Sequence, residues 1–154
     1  MSAQSYDGQK DITDGLTKVL ADTFILYFKT HAFHWNVEGP HFSALHEMFG
    51  EQYTEMWTVS DDIAERIRAL DAYAPLNLKA MHSAATIGET GQMPDAMEMV
   101  KQLANDNQAL VETIYPVLRA AEEKGDEATV DMLIGRINTH EKYAWMLNST
   151  AKGA

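Results

Sequence analysis

The stretch Lys29-Thr-His-Ala-Phe-His-Trp-Asn-Val-Glu-Gly-Pro-His-Phe-Ser-Ala-Leu-His-Glu-Met48 closes one helical pattern and opens the next. Leading into it, Leu16, Leu20, Phe24, Tyr27, His31 and His34 recur at four- or three-residue intervals, a single stripe at about 100° per residue. Two histidines therefore continue an apolar seam. Glu38-Gly-Pro ends that helix, and Pro40 suits the first turn of the following one. The second pattern is predicted from Pro40 to Ala72, with Leu45, Phe49, Met56, Val59, Ile63, Ile67 and Leu70 as core positions. It carries the acidic run Ser60-Asp-Asp-Ile-Ala-Glu-Arg-Ile67.

Beyond Ala74-Pro-Leu-Asn, residues 75–94 form a connection longer than most, punctuated by Gly88, Gly91 and Pro94. A tight turn can join only antiparallel helices, so a long crossover implies that the second and third helices run parallel. A short helix is expected within it around Leu78 to His82. Asp95-Ala-Met-Glu98 reads as an N-cap with its reciprocal acid. The third helix then runs through Val100, Leu103, Leu110, Ile114 and Leu118, with Pro116 expected to kink or interrupt it. Lys124-Gly-Asp stops it, Asp126 caps a fourth, and that helix uses Val130, Leu133, Ile137, Ala144 and Leu147. No strand pattern competes. The predicted fold is all-α: a four-helix bundle with one long crossover carrying a short helix, the ferritin-like connectivity. One domain over residues 1–154 is expected, with residues 1–10 a short tail.

Composition narrows the chemistry. The absence of cysteine excludes disulfides and thiolate metal sites and suits a reducing compartment. No apolar run approaches the roughly 18 residues of a membrane span. The first ten residues lack the basic and apolar regions of a secretory signal, so a cytoplasmic location is expected. Twenty-three acids against twelve bases give a net charge of −11, which repels nucleic acid and attracts cations.

Buried charge is costly unless paired or metal-bound, so polar groups on core-facing stripes are conspicuous. Asp61 and Glu65 are four apart and share one helix face. Taken alone they read as a solvated edge paired with Arg66 or Arg68. His34 and His46 flank the turn and converge if the two helices pack antiparallel. His46 and Asp61, however, lie on one predicted helix fifteen residues apart, roughly 22 Å. A metal–ligand bond is only about 2 Å, so one subunit cannot close both around one ion. An antiparallel two-fold pair solves this, with the histidines of one copy meeting the acids of the other and two equivalent sites per dimer. Mixed imidazole and carboxylate ligation suits Fe(II), with zinc and manganese as competitors. The usual Glu-x-x-His element of an intrasubunit di-iron bundle is missing. Its one occurrence, Glu38 to His41, straddles Gly39-Pro40 and cannot be helical.

The set His34-Trp35-Asn36, Gly39, Phe42, His46-Glu47-Met48 and Asp61-x-x-Ala64-Glu65-Arg66 resembles the Dps family, the miniferritins named as DNA-binding proteins from starved cells. The resemblance runs from about Ile12 to Leu147 and includes Asp131-Met-Leu-Ile and Trp145-Met-Leu in the last helix. It implies a hollow homododecamer built from two-fold dimers. It also implies oxidation of Fe(II) by hydrogen peroxide in preference to dioxygen, and storage of ferric mineral inside. By this resemblance the ferroxidase ligands are His34 and His46 of one subunit with Asp61 and Glu65 of its mate. Trp35, beside a ligand, is read either as a quencher of stray oxidising equivalents or as interface packing.

Two departures stand out. Many relatives carry an acid four residues after the second histidine, where this chain has Gly50, so the second iron is expected to bind weakly. Glu51 is next in line but about 100° round the helix, and His31, one turn before His34, is the other alternate ligand. Relatives that bind DNA use a lysine-rich tail, whereas residues 1–15 hold one lysine, Lys10, and three aspartates. Direct DNA binding is therefore not expected. Asp126, Glu127 and Asp131 fall where the family places acidic entry pores, although capping explains Asp126 equally well. The competing readings are a nucleoid-condensing protein and a bundle oligomer whose polar seam only fixes register.

Overall fold

The computed structural model describes residues 6–154. Its helices are α1 (Tyr6–Asn36), α2 (Phe42–Ala69), α3 (Leu78–Ala84), α4 (Ala96–Glu123) and α5 (Glu127–Ala151). The expected bundle is present: α1 packs on α2, α4 on α5 and α1 on α4, while α3 lies on α1 within the crossover. Leu16, Leu26, Leu45, Phe49, Met56, Ile63, Leu103, Leu110, Ile114, Leu133 and Leu147 are buried where the four long helices meet. All but Leu26 are positions picked out by the 3.6-residue period.

Local chemistry sets the ends. Gly39 takes φ +111°, a conformation open to glycine, between Asn36 and the start of α2. Pro40 accordingly lies in the turn rather than in the first turn of α2, two residues later than the sequence suggests. Gly125 at φ +69° ends α4 in the left-handed region. Asp95 and Asp126 accept from the backbone N–H of Glu98 and Thr129, as N-caps do.

Two expectations need correction. The N-terminal tail does not reach residue 10, because α1 begins at Tyr6. Lys10 pairs with Asp14 one turn on at 3.3 Å. Residues 1–5 lie outside the described residues. Pro116 does not interrupt α4, which continues to Glu123. Pro116 and Glu112 both sit on the exposed face, so the carbonyl that proline leaves unbonded is open to water.

The crossover is held by charges that periodicity did not reveal. Asp22, fully buried in α1, accepts from the Thr86 N–H and hydroxyl (2.6 Å each), the Ile87 N–H (3.0 Å) and the Thr113 hydroxyl (3.0 Å). One carboxylate thus ties α1, the crossover and α4 together. Lys29, also buried, pairs with Asp106 at 2.8 Å and donates to the Gly88 carbonyl. Burial raises the Asp106 pKa against the opposing pull of Lys29.

Candidate metal centre

The α1–α2 hairpin places His34 near the end of one helix and His46 near the start of the next. Each imidazole Nδ1 donates to the other residue's backbone carbonyl, His34 to His46 O at 2.6 Å and His46 to His34 O at 2.7 Å. A carbonyl oxygen only accepts, so Nδ1 carries the hydrogen in both rings. When neutral, each ring therefore keeps its Nε2 lone pair unprotonated, the tautomer a metal requires. The rings stack at 3.8 Å with planes 15° apart, and Phe42 also stacks on His46, at 5.0 Å. A Cβ at Gly50 would stand 3.1 Å from His34 Cε1 and 3.2 Å from Nδ1. The glycine leaves room for the ring where it is.

The carboxylates form a second group on α2. Asp61, Asp62 and Glu65 are exposed and can each present an oxygen within 4.8 Å of the others. Asp62 is the member the sequence reading missed, although its i,i+3 relation to Glu65 was visible. The pairing of these acids with Arg66 or Arg68 does not occur. Arg66 donates instead to Asp126 (2.7 Å) and Thr129, while Arg68 donates to the Ala72 carbonyl and lies over Tyr73. Three carboxylates thus converge with no cation from their own chain among the described contacts. The structure assembles each half but not the whole, because α2 runs unbroken from His46 to Asp61, roughly 22 Å of axial rise.

The secondary candidates divide. His31 Nδ1 is 3.0 Å from the Tyr27 hydroxyl, and its ring stacks on Tyr53 at 3.7 Å. Burial and then His34 lower the His31 pKa, and burial and then Tyr53 raise that of Tyr27. Glu51 is exposed beside a depression of about 830 Å³ that Glu47, Glu55 and Asp62 also line. Glu127 and Asp131 are exposed on α5. Asp126 differs from them: it is buried, and both oxygens are engaged, by Arg66 and the Thr129 N–H on one and the Thr129 hydroxyl on the other. It is a cap, the alternative that its position at a helix start already offered.

Between α2, α4 and α5 runs a buried polar chain. Arg136 forms a two-pronged bond to Glu55, and its Nη2 reaches Nε2 of the fully buried His140 at 3.0 Å. His140 Nδ1 donates to Asn107 at 2.8 Å. A buried guanidinium thus pairs with the carboxylate and imidazole there. Burial, then Arg136, pushes the His140 pKa well below its ordinary value, keeping the ring neutral.

Comparison with known proteins agrees with this architecture. The ferritin-like domain family matches residues 13–153. The DNA protection during starvation protein of Brevibacillus brevis is 40% identical over 134 residues, 87% of this chain and 90% of that one. Among solved structures, a Dps protein from Bacillus brevis superposes with a TM-score of 0.92 at 36% identity, covering 96% of this chain and 99% of that one. A Dps protein from Vibrio cholerae O1, described as a member of a broad superfamily of ferritin-like diiron-carboxylate proteins, gives 0.89 at 32% identity, covering 94% and 91%. The fold and these matches define a ferritin-like protein. Within that class, the chain belongs to the Dps family.

Proposed function

We propose that this protein is a ferroxidase miniferritin acting in the cytoplasm. It oxidises Fe(II) with hydrogen peroxide, less well with dioxygen, at sites shared between two subunits, and it stores the ferric product inside a homododecameric shell. The observation that carries this reading is the pair of prepared half-sites on one protomer, too far apart to meet. His34 and His46 offer Nε2 lone pairs, and Asp61 and Glu65, with Asp62 beside them, offer oxygens. This mixed donor set fits Fe(II). Each half offers what the other lacks: one brings imidazole nitrogens, and the other brings clustered carboxylate oxygens that carry negative charge toward a cation. Iron is the substrate. Two Fe(II) ions supply two electrons, which with two protons reduce one peroxide to two waters, so no hydroxyl radical is released. Gly50 and the engagement of His31 with Tyr27 support a weakly held second iron, with Glu51 the nearest further acid. Exposed Glu127 and Asp131 remain the proposed entry-pore acids.

Anaerobic loading with Fe(II) followed by peroxide tests this on the wild type and on Asp61→Ala, with shell size recorded alongside. Fast oxidation in the wild type and its loss in an intact Asp61→Ala shell is the expected result. Equal rates in both would leave a structural oligomer as the better reading. Relatives bear DNA-protection names, which favours DNA binding as the second reading. The net charge of −11 opposes it. Protection by removing iron and peroxide requires no contact with DNA, and no retardation of duplex DNA is expected even at low salt.

A further inference from the structure

Two arginines on α2 are spaced to neutralise the acid trio, and neither does so. Arg66 is four residues after Asp62, with the acid on the N-terminal side, the order that helix pairs favour. Arg68 is three residues after Glu65. An exposed pair of this kind is weak, so a stronger acceptor elsewhere decides where each guanidinium goes. Arg68 donates to the Ala72 carbonyl at 2.8 Å and lies over the Tyr73 ring at 4.7 Å. Arg66 is drawn to α5, where its Nη2 donates to Asp126 at 2.7 Å and its Nε to the Thr129 hydroxyl at 3.0 Å. Asp126 is a far stronger acceptor than Asp62. Its side chain is 6% exposed, and Thr129 holds both of its oxygens, through the N–H at 3.2 Å and the hydroxyl at 2.6 Å. If Arg66 left, this buried anion would lose its one cation among the described contacts. An exposed Asp62–Arg66 pair cannot offset that cost.

We infer that Asp126 is a positioning residue for the metal centre: by holding Arg66 on α5, it keeps Asp61, Asp62 and Glu65 free of a cation from their own chain and open to a metal. The inference rests on the ferroxidase reading for what the trio binds. It also accounts for a contrast at the start of α5, where Asp126 is buried and turned to α2 while Glu127 and Asp131 are exposed. Asparagine at position 126 separates this task from capping. Asparagine caps a helix about as well as aspartate, so the bond from the Thr129 N–H is kept. Its amide is neutral and offers Arg66 no anion. Once released, Arg66 is one helical turn from Asp62 and closes on it, taking that carboxylate away from the metal.

Full-length wild type, Asp126→Asn and Asp126→Asn/Arg66→Gln are titrated anaerobically with Fe(II) by calorimetry. Crystal structures of metal-free wild type and Asp126→Asn are determined alongside. Asp126→Asn is expected to bind Fe(II) roughly two- to five-fold more weakly, the range set by an exposed competing pair. In its crystal, Arg66 is expected within about 4 Å of an Asp62 or Glu65 oxygen. The double variant should recover wild-type affinity, because no guanidinium remains to compete. A weakened start of α5 predicts no such recovery, and failure to recover overturns the inference. So does an Asp126→Asn variant that binds as wild type does, or one whose Arg66 stays away from the trio. In each of these cases, Fe(II) binding by the wild type leaves the ferroxidase reading standing. If the wild type binds no Fe(II), that reading fails, and the position of Arg66 in the Asp126→Asn crystal alone decides whether Asp126 holds it.

Discussion

Gly50 shows how a single missing Cβ governs the histidine half-site. A glycine inside a helix costs about 1 kcal/mol against alanine, so Gly50→Ala would ordinarily stabilise α2. Here the new methyl would stand 3.1 Å from His34 Cε1. That ring cannot swing away freely, because its Nδ1 is bonded to the His46 carbonyl and its face lies on the His46 ring. The propensity gain is therefore expected to be largely cancelled, leaving the unfolding midpoint within about 0.5 kcal/mol of wild type. Peroxide-driven iron oxidation, which depends on the aim of His34 Nε2, should fall several-fold in a stopped-flow assay. A stabilised protein with full activity would show that the ring has slack. His34 could be found in the sequence because it continues the apolar stripe of α1, and His46 because it flanks the same turn; Asp61 and Glu65, expected on a core-facing stripe, are exposed on α2 and were legible by their four-residue spacing alone. Asp62 was overlooked because it is adjacent to Asp61, and neighbours on a helix point about 100° apart. Its link to Glu65 was the usable signal.

Helix order, the two hairpins, the crossover and its short helix were all legible, since each rests on periodicity or on Gly, Pro and cap residues. What holds the elements together was not. Asp22, Lys29, Asp106 and the Glu55–Arg136–His140–Asn107 chain act between segments far apart in sequence, and no local pattern marks an i, i+64 hydrogen bond such as that from Thr86 to Asp22. The α4–α5 pairing has a pH signature of its own. His140 is buried neutral, with its pKa well below the ordinary 6.5, while the unfolded chain protonates near that value. Between the two the unfolded state binds the extra proton, so stability falls as pH drops below about 6.5, by up to about 1.4 kcal/mol per pH unit. Above that range both states are neutral at this residue, and it contributes no slope. Replacing it by glutamine, which retains an amide able to meet Asn107 or Arg136, should lower stability at pH 8 and flatten the slope between pH 6.5 and 5. Denaturant titration at a series of pH values reads both effects. An unchanged slope would place the acid sensitivity elsewhere.

At the scale of the whole molecule, the separation of the half-sites makes a quantitative demand on assembly. If the histidines of one copy work with the acids of its mate, each two-fold dimer carries two sites with crossed parentage. A subunit with His34→Ala and His46→Ala is then inactive in its own homodimer, and so is one with Asp61→Ala and Glu65→Ala. In a mixed dimer the crossed parentage separates the lesions unequally. One site receives both sets of substitutions, while the other receives wild-type histidines from the acid variant and wild-type acids from the histidine variant. Random re-pairing of equal amounts makes half of all dimers mixed, and half of their sites are intact. Co-refolding the two inactive proteins should therefore restore about one quarter of wild-type peroxide-dependent iron oxidation. A site built within one subunit predicts no recovery at any ratio. The dependence on mixing ratio is equally diagnostic. Activity should follow the product of the two fractions and peak at equal amounts, whereas trace wild-type contamination would give a constant residue. Measuring shell size on the same samples separates failed pairing from failed chemistry, because only shells of wild-type size that stay inactive at equal mixing would count against crossed parentage.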